Sequence, residues 1–332
     1  MEHSTSYKDA GVDIGLEARA VAALIGKLTY KRIGDIQPIS ASGHFAGMVS
    51  FGEYVLALAT DGVGTKMLVA DEMQNWCTVG IDCIAMNVND LYVMNLEPVA
   101  FVDYIATNQL SLSQMKELGE GLNRGAELAN ISIIGGETAT LKGLVTGLDL
   151  AGAVLGVQKQ ENVITGEKIS PGDLIIGVPS SGIHSNGLPL ARSIVATYAG
   201  IHEPFAGEKT YGEELLTPTR IYHEVLSLTK ICKVHGMCHI TGGGLLNLKR
   251  LSQYGFSITN PLPPQKIYTW MQEAAKISDS EMYKTFNMGM GYVIIVPPSE
   301  RNCVCSVFTD AQVVGEVIYE PGVFLKGSEI IE

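Results

Sequence analysis

Residues 60–66, Thr-Asp-Gly-Val-Gly-Thr-Lys, combine an acid, two glycines, two hydroxyls and a lysine directly after an apolar run of β type. Gly62 and Gly64 allow backbone N–H groups to approach an anion, and Lys66 can place a positive charge beside a phosphate. Asp61 repels phosphate, so beside one it needs a bridging cation, most simply Mg²⁺. The stretch therefore indicates a loop for a phosphorylated ligand and a metal, with an ordinary turn as the alternative.

A second set of oxygen-bearing side chains lies in an apolar helix that the spacing predicts over residues 79–96. Asp82 is near its start, and Asn87 and Asp90 are three residues apart, so they share one face. Because a buried carboxylate needs a partner, metal binding or hydrogen bonding is favoured over solvation of these side chains.

Glycines and polar side chains recur after other predicted strands. Residues 131–134 are expected to form a short buried strand that breaks at Gly135-Gly136-Glu137-Thr138. The strand predicted over 174–178 ends in residues 180–187, which carry more hydrogen-bonding side chains than a connection needs. A third turn, at residues 242–244, consists of three glycines between a strand and a helix. We therefore expect ligand contacts at several strand ends.

The elements that would position these groups alternate between strands and helices, which predicts an α/β (α+β layered) architecture. A hairpin is expected from residues 48–51 and 55–59. Thr217 followed by Pro218 predicts the start of a helix that runs to residue 231. Ser113 is expected to cap a helix with an inner stripe of Met115, Leu118, Leu122 and Leu128. Further helices are expected over 16–28, 188–199 and 266–276, and further strands over 99–107, 147–158, 292–296 and, last in the chain, 313–319.

Length and composition indicate a globular protein of two domains. A chain of 332 residues exceeds what one core usually serves, and the polar stretch 159–173 is the expected boundary between domains 1–160 and 161–332. A polar N-terminus and the lack of any apolar run of about 18 residues predict no signal peptide and no membrane span, hence a cytoplasmic protein. The net charge of −12 argues against a nucleic-acid partner but allows small phosphorylated ligands.

The six cysteines are scattered, without a Cys-x-x-Cys pair or a Cys/His cluster. This distribution favours reduced, mostly buried thiols over disulfides or zinc sites. The common nucleotide signatures are also missing, because the sequence contains neither a P-loop nor a Gly-x-Gly-x-x-Gly turn that opens a helix. No nucleophile elbow is present either.

The motifs together resemble the phosphoribosylformylglycinamidine cyclo-ligase family, also called aminoimidazole ribonucleotide (AIR) synthetase. The resemblance spans nearly the whole chain and is carried by residues 6–13, 60–66, 80–82, 88–90, 103–104, 106–107, 135–139, 180–187, 217–222, 239–244 and 281–287. Each block alone would be weak, whereas all of them in the family's order are highly specific.

The resemblance implies a two-domain fold in a homodimer, whose N-terminal strands from both subunits form a shared barrel, with a C-terminal α/β domain that completes the substrate site. It also implies a ligase of de novo purine (IMP) biosynthesis, which converts formylglycinamidine ribonucleotide and ATP into 5-aminoimidazole ribonucleotide, ADP and phosphate. ATP is expected to phosphorylate the formyl oxygen, after which the amidine nitrogen attacks that carbon and closes the ring. Positioning and charge neutralisation suffice for such a transfer.

The same resemblance assigns site residues. Catalytic roles are expected for Lys8, Asp61 and His184, and Mg²⁺ ligands for Asp61, Asp82, Asp90 and Glu137. The expected contacts of ATP are Lys8, Asp9, Gly11, Asp13, Gly62, Gly64, Thr65, Lys66, Gly135, Gly136 and Thr138. The expected contacts of the nucleotide substrate are Ser181, His184, Ser185, Asn186, Gly242, Gly243 and Gly244. His184 is a candidate proton shuttle, and a surface histidine that only forms hydrogen bonds is the alternative.

Two stretches depart from the family's bacterial members: residues 41–47 are less glycine-rich, and the loop 140–144 is shorter. Related enzymes with the same architecture fit less well. Selenophosphate synthetases carry a reactive cysteine near the N-terminus, where this sequence has none before Cys77, and a hydrogenase maturation factor ends in a cysteine, where this sequence ends in Glu332. A nucleotide-binding dimer without enzymatic activity is the alternative from another class.

Overall fold

The computed structural model describes residues 10–39 and 44–330. The predictions for Lys8 and Asp9 lie outside the described residues. Within them the protein is a mixed α/β structure with two large sheets, as the alternation of elements predicts. No helix in the described ranges is long and apolar enough to span a bilayer.

The first sheet is formed by the N-terminal half, and its strands run in the order β1-β2-β3-β6-β4-β5. Only β4 and β5 are paired in parallel, because a helix connects them, while the other neighbours are antiparallel. The expected hairpin of β2 and β3 is confirmed. These strands are β1 (Pro38–Ile39), β2 (Gly47–Phe51), β3 (Tyr54–Gly62), β4 (Glu97–Thr107), β5 (Ser132–Thr140) and β6 (Leu148–Lys159).

Two helices of this half cross at very short distance. A Cβ atom on Gly80 would lie 2.3 Å from the backbone nitrogen of Leu122, and one on Gly121 would lie 2.0 Å from the carbonyl oxygen of Cys77. Glycine is therefore required at both positions. The four helices are α1 (Ile14–Ile25), α2 (Lys66–Met73), α3 (Cys77–Tyr92) and α4 (Leu112–Ala129), of which α3 and α4 form this crossing.

The second sheet is formed by the C-terminal half, in the order β13-β12-β9-β11-β7-β10-β8. Its strand β10 is buried at every position, which agrees with its unbroken apolar sequence. The strands are β7 (Leu174–Pro179), β8 (Gly236–His239), β9 (Gly255–Ile258), β10 (Met290–Val296), β11 (Gln312–Ile318), β12 (Gly322–Leu325) and β13 (Ser328–Glu329). The helices are α5 (Leu188–Tyr198), α6 (Tyr211–Leu215), α7 (Val225–Ile231), α8 (Lys266–Ala275), α9 (Asp279–Thr285) and α10 (Arg301–Val307).

Several predicted boundaries were wrong for identifiable reasons. The strand expected over 131–134 does not break at the glycines: β5 continues to Thr140, because parallel pairing with β4 holds it, and it is exposed at the sheet edge. The strand over 313–319 is not the last, since β12 and β13 follow. Helix α4 starts at Leu112 with Ser111 as its N-cap, and Leu128 is 37% exposed rather than part of the inner stripe.

The helix expected from Thr217-Pro218 begins only at Val225. Residues 217–222 are not helical, and their backbone groups form hydrogen bonds with side chains of α2 and α3 instead. Tertiary contacts therefore override the local capping signal at this point.

The expectation that every cysteine is a free thiol was wrong for one pair. Cys232, at the end of α7, and Cys303, in α10, form a disulfide with a Cα–Cα distance of 5.9 Å. The other four cysteines are free. The bond ties α7 to α10 and thereby supports the segment that precedes α7.

Reduction of this disulfide is expected to destabilise the protein. The cross-link closes a loop between residues 71 positions apart, which corresponds to a stabilisation of about 4 kcal/mol in the chain-entropy model. Urea unfolding with and without a reductant should show this loss, and the Cys303→Ser variant should reproduce it. Cys305→Ser, on the same helix, is the matched control, and an equal loss in that variant would contradict the cross-link.

Candidate active site

A buried ion pair joins the two halves of the chain. Lys66 Nζ, at the start of α2, donates to Asp82 Oδ1 of α3 over 2.9 Å and to the carbonyl oxygen of Thr217 over 2.7 Å. Both charged side chains are fully enclosed. Asp82 Oδ1 also accepts hydrogen bonds from the backbone and hydroxyl of Thr219. One carboxylate thus anchors both the lysine and the segment that enters from the C-terminal half.

The electrostatics of this pair follow from its enclosure. Burial lowers the pKa of Lys66, and the adjacent Asp82 carboxylate opposes that shift. Lys66 was expected to contact phosphate and Asp82 to bind Mg²⁺. Both roles stay predictions, and the structure gives each of these side chains the other as its partner.

Asn89 of α3 forms a second connection between the halves. Its side-chain Nδ2 donates to the carbonyl oxygen of Arg220 over 2.9 Å, and its Oδ1 accepts from the backbone N–H of Tyr222 over 3.1 Å. The same Nδ2 lies 3.4 Å from His239 Nε2. The Asn89 amide thus donates to one backbone carbonyl and accepts from one backbone N–H. These two bonds hold residues 220–222 in a non-helical conformation.

Asp61 and Asp90 form the acidic part of the site. Asp61 is the last residue but one of β3. Burial together with the negative charge of Asp90 raises its pKa to about 6, although the N–H of Gly62 and the nearby His239 act in the opposite direction. Asp90 Oδ1 lies 3.3 Å from His239 Nδ1. The neighbouring Asn87 donates to the carbonyl oxygen of Asp61 over 3.1 Å, which confirms hydrogen-bonding duty for this polar residue of the helix.

His184 lies in the turn that follows β7, and it is completely buried, so its interpretation as a surface histidine was wrong. Its backbone is left-handed, with φ of 61°. Nε2 accepts a hydrogen bond from the backbone N–H of Ser181 over 3.3 Å, whereas Nδ1 has no partner among the described residues. Burial, followed by the charges of His239, Lys66 and Arg220, holds its pKa well below the ordinary value. The imidazole is therefore neutral and carries its proton on Nδ1.

Two buried asparagines hold the turns that carry the other predicted substrate contacts. Asn287 Oδ1 accepts from the hydroxyls of Ser180 and Tyr268, both over 2.9 Å, and its Nδ2 donates to the carbonyl oxygen of Gly182. Asn247 Nδ2 donates to the carbonyl oxygens of Gly242 and Gly244 over 3.0 and 2.9 Å. The turn after β7 is thus fixed by an amide distant in sequence, and the glycine turn by an amide a few residues further along the chain.

The glycines of β5 leave room for an acid on β4. Asp61, Gly152, Asp103 and Gly136 occupy one row across strands β3, β6, β4 and β5. A Cβ atom on Gly136 would lie 2.5 Å from Asp103 Oδ1. Burial raises the pKa of Asp103, which lies on the same face as Asp61. Asp103 thus adds a carboxylate to this face that sequence reasoning had left without a role.

Glu137 is remote from Asp61 within one chain. It is the residue after Gly136, so it faces the other side of the sheet, and three strand spacings of about 4.8 Å separate its row from β3. Ligands of one Mg²⁺ lie about 2.1 Å from the ion. Asp61 and Glu137 of the same chain would therefore serve different ions.

Comparison with known proteins identifies the family. Residues 43–158 match the model described as AIR synthase related protein, N-terminal domain, and residues 170–328 match its C-terminal domain. The phosphoribosylformylglycinamidine cyclo-ligase of Methanococcoides burtonii is 50% identical and covers 99% of both chains. That of Methanosarcina barkeri is 49% identical and covers 98% of both. The chain belongs to the phosphoribosylformylglycinamidine cyclo-ligase family.

The fold of this cyclo-ligase is shared by more distant proteins. A solved structure described as AaThiL complexed with AMPPCP and TMP superposes with a TM-score of 0.69 at 17% identity, and the match covers 99% of this chain and 97% of that one. At this identity the similarity establishes the architecture alone.

The structure brings some of the predicted residues of the cyclo-ligase together and leaves others apart. Asp61 and Asp90 interact, and the turns around His184 and Gly243 follow strands β7 and β8, which pair with β10 on its two sides. Asp13, in contrast, caps α1 through a hydrogen bond to the N–H of Leu16, and Gly11 is exposed. Their expected contacts with ATP, and those of Thr65 and Thr138, stay predictions.

Sequence reasoning gave no role to His239, Asn89 or Asn247. The first two lie in blocks that carry the family resemblance, so a buried polar side chain inside such a block was the available signal. Asn247 had no local signal, because its three carbonyl partners become neighbours only when the glycine turn folds.

Removing the charge of Asp61 is expected to stabilise the ligand-free protein. Its folded pKa of about 6 lies above the ordinary value of 3.8, so ionisation costs folding free energy above pH 6, and the cost vanishes below pH 4. Asp61→Asn should therefore raise the free energy of unfolding at pH 8 by about 2 kcal/mol, and less at pH 5. Urea unfolding at both pH values measures this, with the exposed Asp71→Asn as control. A variant less stable than the unmodified protein at pH 8 would contradict the assignment.

Proposed function

We propose that the reaction site is the seam between the two halves, where α3 meets residues 217–222 and β8. Asp61 and Asp90 are proposed to hold the Mg²⁺ of ATP there. As a cyclo-ligase, the protein uses ATP to close the ring of formylglycinamidine ribonucleotide to 5-aminoimidazole ribonucleotide, with release of ADP and phosphate and formation of a C–N bond. The names of its relatives support this reaction in purine biosynthesis, and the related structure with the ATP analogue AMPPCP supports the use of ATP.

The observation that carries the metal assignment is the charge imbalance at the end of β3. Burial and, after it, the negative charge of Asp90 raise the pKa of Asp61, and the buried Lys66 is already paired with Asp82. Carboxylate oxygens in such a position fit Mg²⁺, which takes one or two carboxylates together with substrate phosphates. When bound, the ion would neutralise the negative charge of the transferring phosphoryl group.

The phosphates of ATP are proposed to lie against the turn between β3 and α2. Gly64 is exposed, left-handed with φ of 66°, and has no atom within 4 Å of the position of a Cβ. Thr65 is the N-cap of α2, and its side chain makes no capping hydrogen bond. The N–H groups at the start of a helix without a side-chain cap are free to bind an anion, and the open glycine turn before it leaves room for one. Lys8 and Asp9, outside the described residues, are proposed to cover these phosphates.

The nucleotide substrate is proposed to bind at the turns of the C-terminal half. Ser181, Ser185, Asn186 and the glycines 242–244 would contact its ribose phosphate and amidine. The Nδ1–H of His184 has no acceptor in the described protein, so it is available as a hydrogen-bond donor to the substrate. Because burial disfavours the imidazolium, His184 would act as a proton shuttle only by gaining a proton at Nε2 as it releases the one on Nδ1.

In the proposed sequence of steps, phosphoryl transfer from ATP to the formyl oxygen forms a phosphorylated intermediate. Attack of the amidine nitrogen on the formyl carbon then forms the C–N bond, and phosphate leaves with the oxygen. The protein's own groups supply orientation and charge neutralisation, and no side-chain nucleophile takes part.

A homodimer is proposed from the open face of the first sheet. On the side opposite α3 and α4, this face exposes apolar side chains of β3 and β4, among them Leu58 at 62% and Tyr104 at 42% exposure. A second copy of this face would cover them, as the barrel of the family implies. A domain boundary near residue 160 is also proposed, and it is supported by the two family matches, which cover the N-terminal and the C-terminal half separately.

The reaction is tested by mixing the purified protein with formylglycinamidine ribonucleotide, ATP and Mg²⁺. We expect 5-aminoimidazole ribonucleotide and ADP in a ratio of one to one. Binding of ATP without product would favour a nucleotide-binding scaffold and contradict the proposal.

Asp61→Asn is expected to lower kcat by about a hundredfold or more, because loss of a metal ligand weakens charge neutralisation in the transition state. Steady-state kinetics over a Mg²⁺ titration measures the effect. Asp71→Asn should leave the rate unchanged, and a variant at position 61 with full activity at limiting Mg²⁺ would refute the metal role.

Leu58→Glu should convert the dimer into a monomer, because it places a charge in the centre of the proposed apolar interface. Light scattering coupled to size-exclusion chromatography gives the mass. Tyr319→Glu, which changes another exposed apolar position far along the chain, is the control. A Leu58→Glu protein that remains dimeric would rule out this face as the interface.

A further inference from the structure

We infer that His239 is a positioning residue that orients the carboxylate of Asp90 for the metal, and that Asn89 sets the tautomer in which it does so. His239 ends β8 in the C-terminal half, while Asn89 and Asp90 are adjacent on α3 in the N-terminal half. The inference rests on the metal role proposed for Asp90. It adds a residue to which neither the sequence motifs nor the proposed reaction gave a function.

The orientation of the Asn89 amide is fixed by its backbone partners. Its Nδ2 faces the carbonyl oxygen of Arg220 over 2.9 Å, and its Oδ1 faces the N–H of Tyr222 over 3.1 Å. A flipped amide would place oxygen against oxygen and N–H against N–H. Since Asn89 is fully buried, no solvent could relieve this mismatch. The group that faces His239 is therefore the NH₂ group.

The ring proton of His239 is located by the same logic. Asn89 Nδ2 can only donate, so His239 Nε2, 3.4 Å away, is the acceptor. The proton consequently lies on Nδ1, which faces Asp90 Oδ1 over 3.3 Å. The imidazole is thus a donor to the carboxylate, and one oxygen of Asp90 is directed toward β8 while the other is left for a cation.

The hydrogen bond from His239 to Asp90 resembles the hydrogen bonds that hold the ligands of many metal sites in place. A carboxylate that binds a metal is commonly held by a further hydrogen bond, and loss of such a partner costs about 10- to 100-fold in metal affinity or activity. His239 itself cannot adapt by moving, because it is fully buried and lies beside the rings of His184 and Tyr222, with centroids 6.2 and 6.3 Å away. A buried histidine that serves packing alone is the competing explanation.

Two amide substitutions separate these explanations. The side-chain nitrogen of asparagine can occupy the position of Nδ1, so His239→Asn keeps a donor for Asp90. The longer glutamine places its amide group near the position of Nε2, where its oxygen can accept from Asn89, so His239→Gln keeps a partner for Asn89 and leaves Asp90 without its donor. A packing role would favour glutamine, whose volume is closer to that of histidine, over asparagine.

The readout is binding of Mn²⁺, followed by electron paramagnetic resonance, to the full chain in the presence of the non-hydrolysable analogue AMPPCP. We expect His239→Gln to weaken Mn²⁺ binding about 10-fold and His239→Asn to stay within about threefold of the unmodified protein. The reverse order, or equal affinity in all three proteins, would overturn the positioning role. Urea unfolding of each variant reports whether the fold is retained.

Asp90→Asn distinguishes failure of this inference from failure of the metal site. If Asp90→Asn abolishes Mn²⁺ binding while His239→Gln does not weaken it, only the role of His239 is wrong. If Asp90→Asn binds Mn²⁺ normally, the proposed metal site fails, and the role of His239 fails with it.

The tautomer provides a measurement that needs no metal. In the ¹⁵N NMR spectrum of the ligand-free protein, His239 should show a protonated Nδ1 and an unprotonated Nε2. Asn89→Asp removes the donor that faces Nε2 and should change this signature. A proton on Nε2 in the unmodified protein would contradict the inference.

Discussion

The buried ion pair of Lys66 and Asp82 is the interaction on which the arrangement of the site depends. Two charges without solvent contact persist only as partners, and removal of one of them typically costs about 3–5 kcal/mol. Thr217 accepts a further hydrogen bond from Lys66, and Thr219 donates further hydrogen bonds to Asp82 Oδ1. The pair therefore fixes both the start of α2 and the path of the chain that enters from the other half.

The path of residues 217–222 determines which polar groups meet across the seam. Because residues 217–222 are held away from helical geometry, their backbone groups are free to meet Asn89, and Arg220 can reach Asp310 and Glu224. The disulfide joins α7, the helix that follows this segment, to α10. Lys66 is thus already neutralised by Asp82, and a divalent cation is proposed to balance the charge of Asp61 and Asp90.

Local patterns in the sequence were sufficient where neighbours along the chain decide the structure. The hairpin of β2 and β3, the apolar helix α3 and the strand β4 were all predicted close to their observed bounds. Errors occurred where a partner distant in sequence decides. Parallel pairing carries β5 through its glycines, Asp82 draws Thr219 out of the expected helix, and Cys232 meets Cys303 only after folding.

The same distinction applies to the site. Asp61 and His184 could be singled out because they lie in glycine-rich stretches, and Asp90 because it is an acid in an apolar helix. That Lys66 and Asp82 pair with each other, or that Glu137 faces the other side of the sheet from Asp61, could not be inferred, since both facts depend on burial and strand register. The roles of Asn89 and His239 depend on the contact between α3 and β8, which forms only in the folded protein.

The central claim is that carboxylates at the seam hold the metal of ATP, and a crystal structure with AMPPCP and Mg²⁺ tests it most directly. The account predicts a cation about 2.1 Å from oxygens of Asp61 and Asp90 and in contact with the analogue's phosphates. A cation held only by phosphates and water, with both carboxylates turned away from it, would contradict the claim.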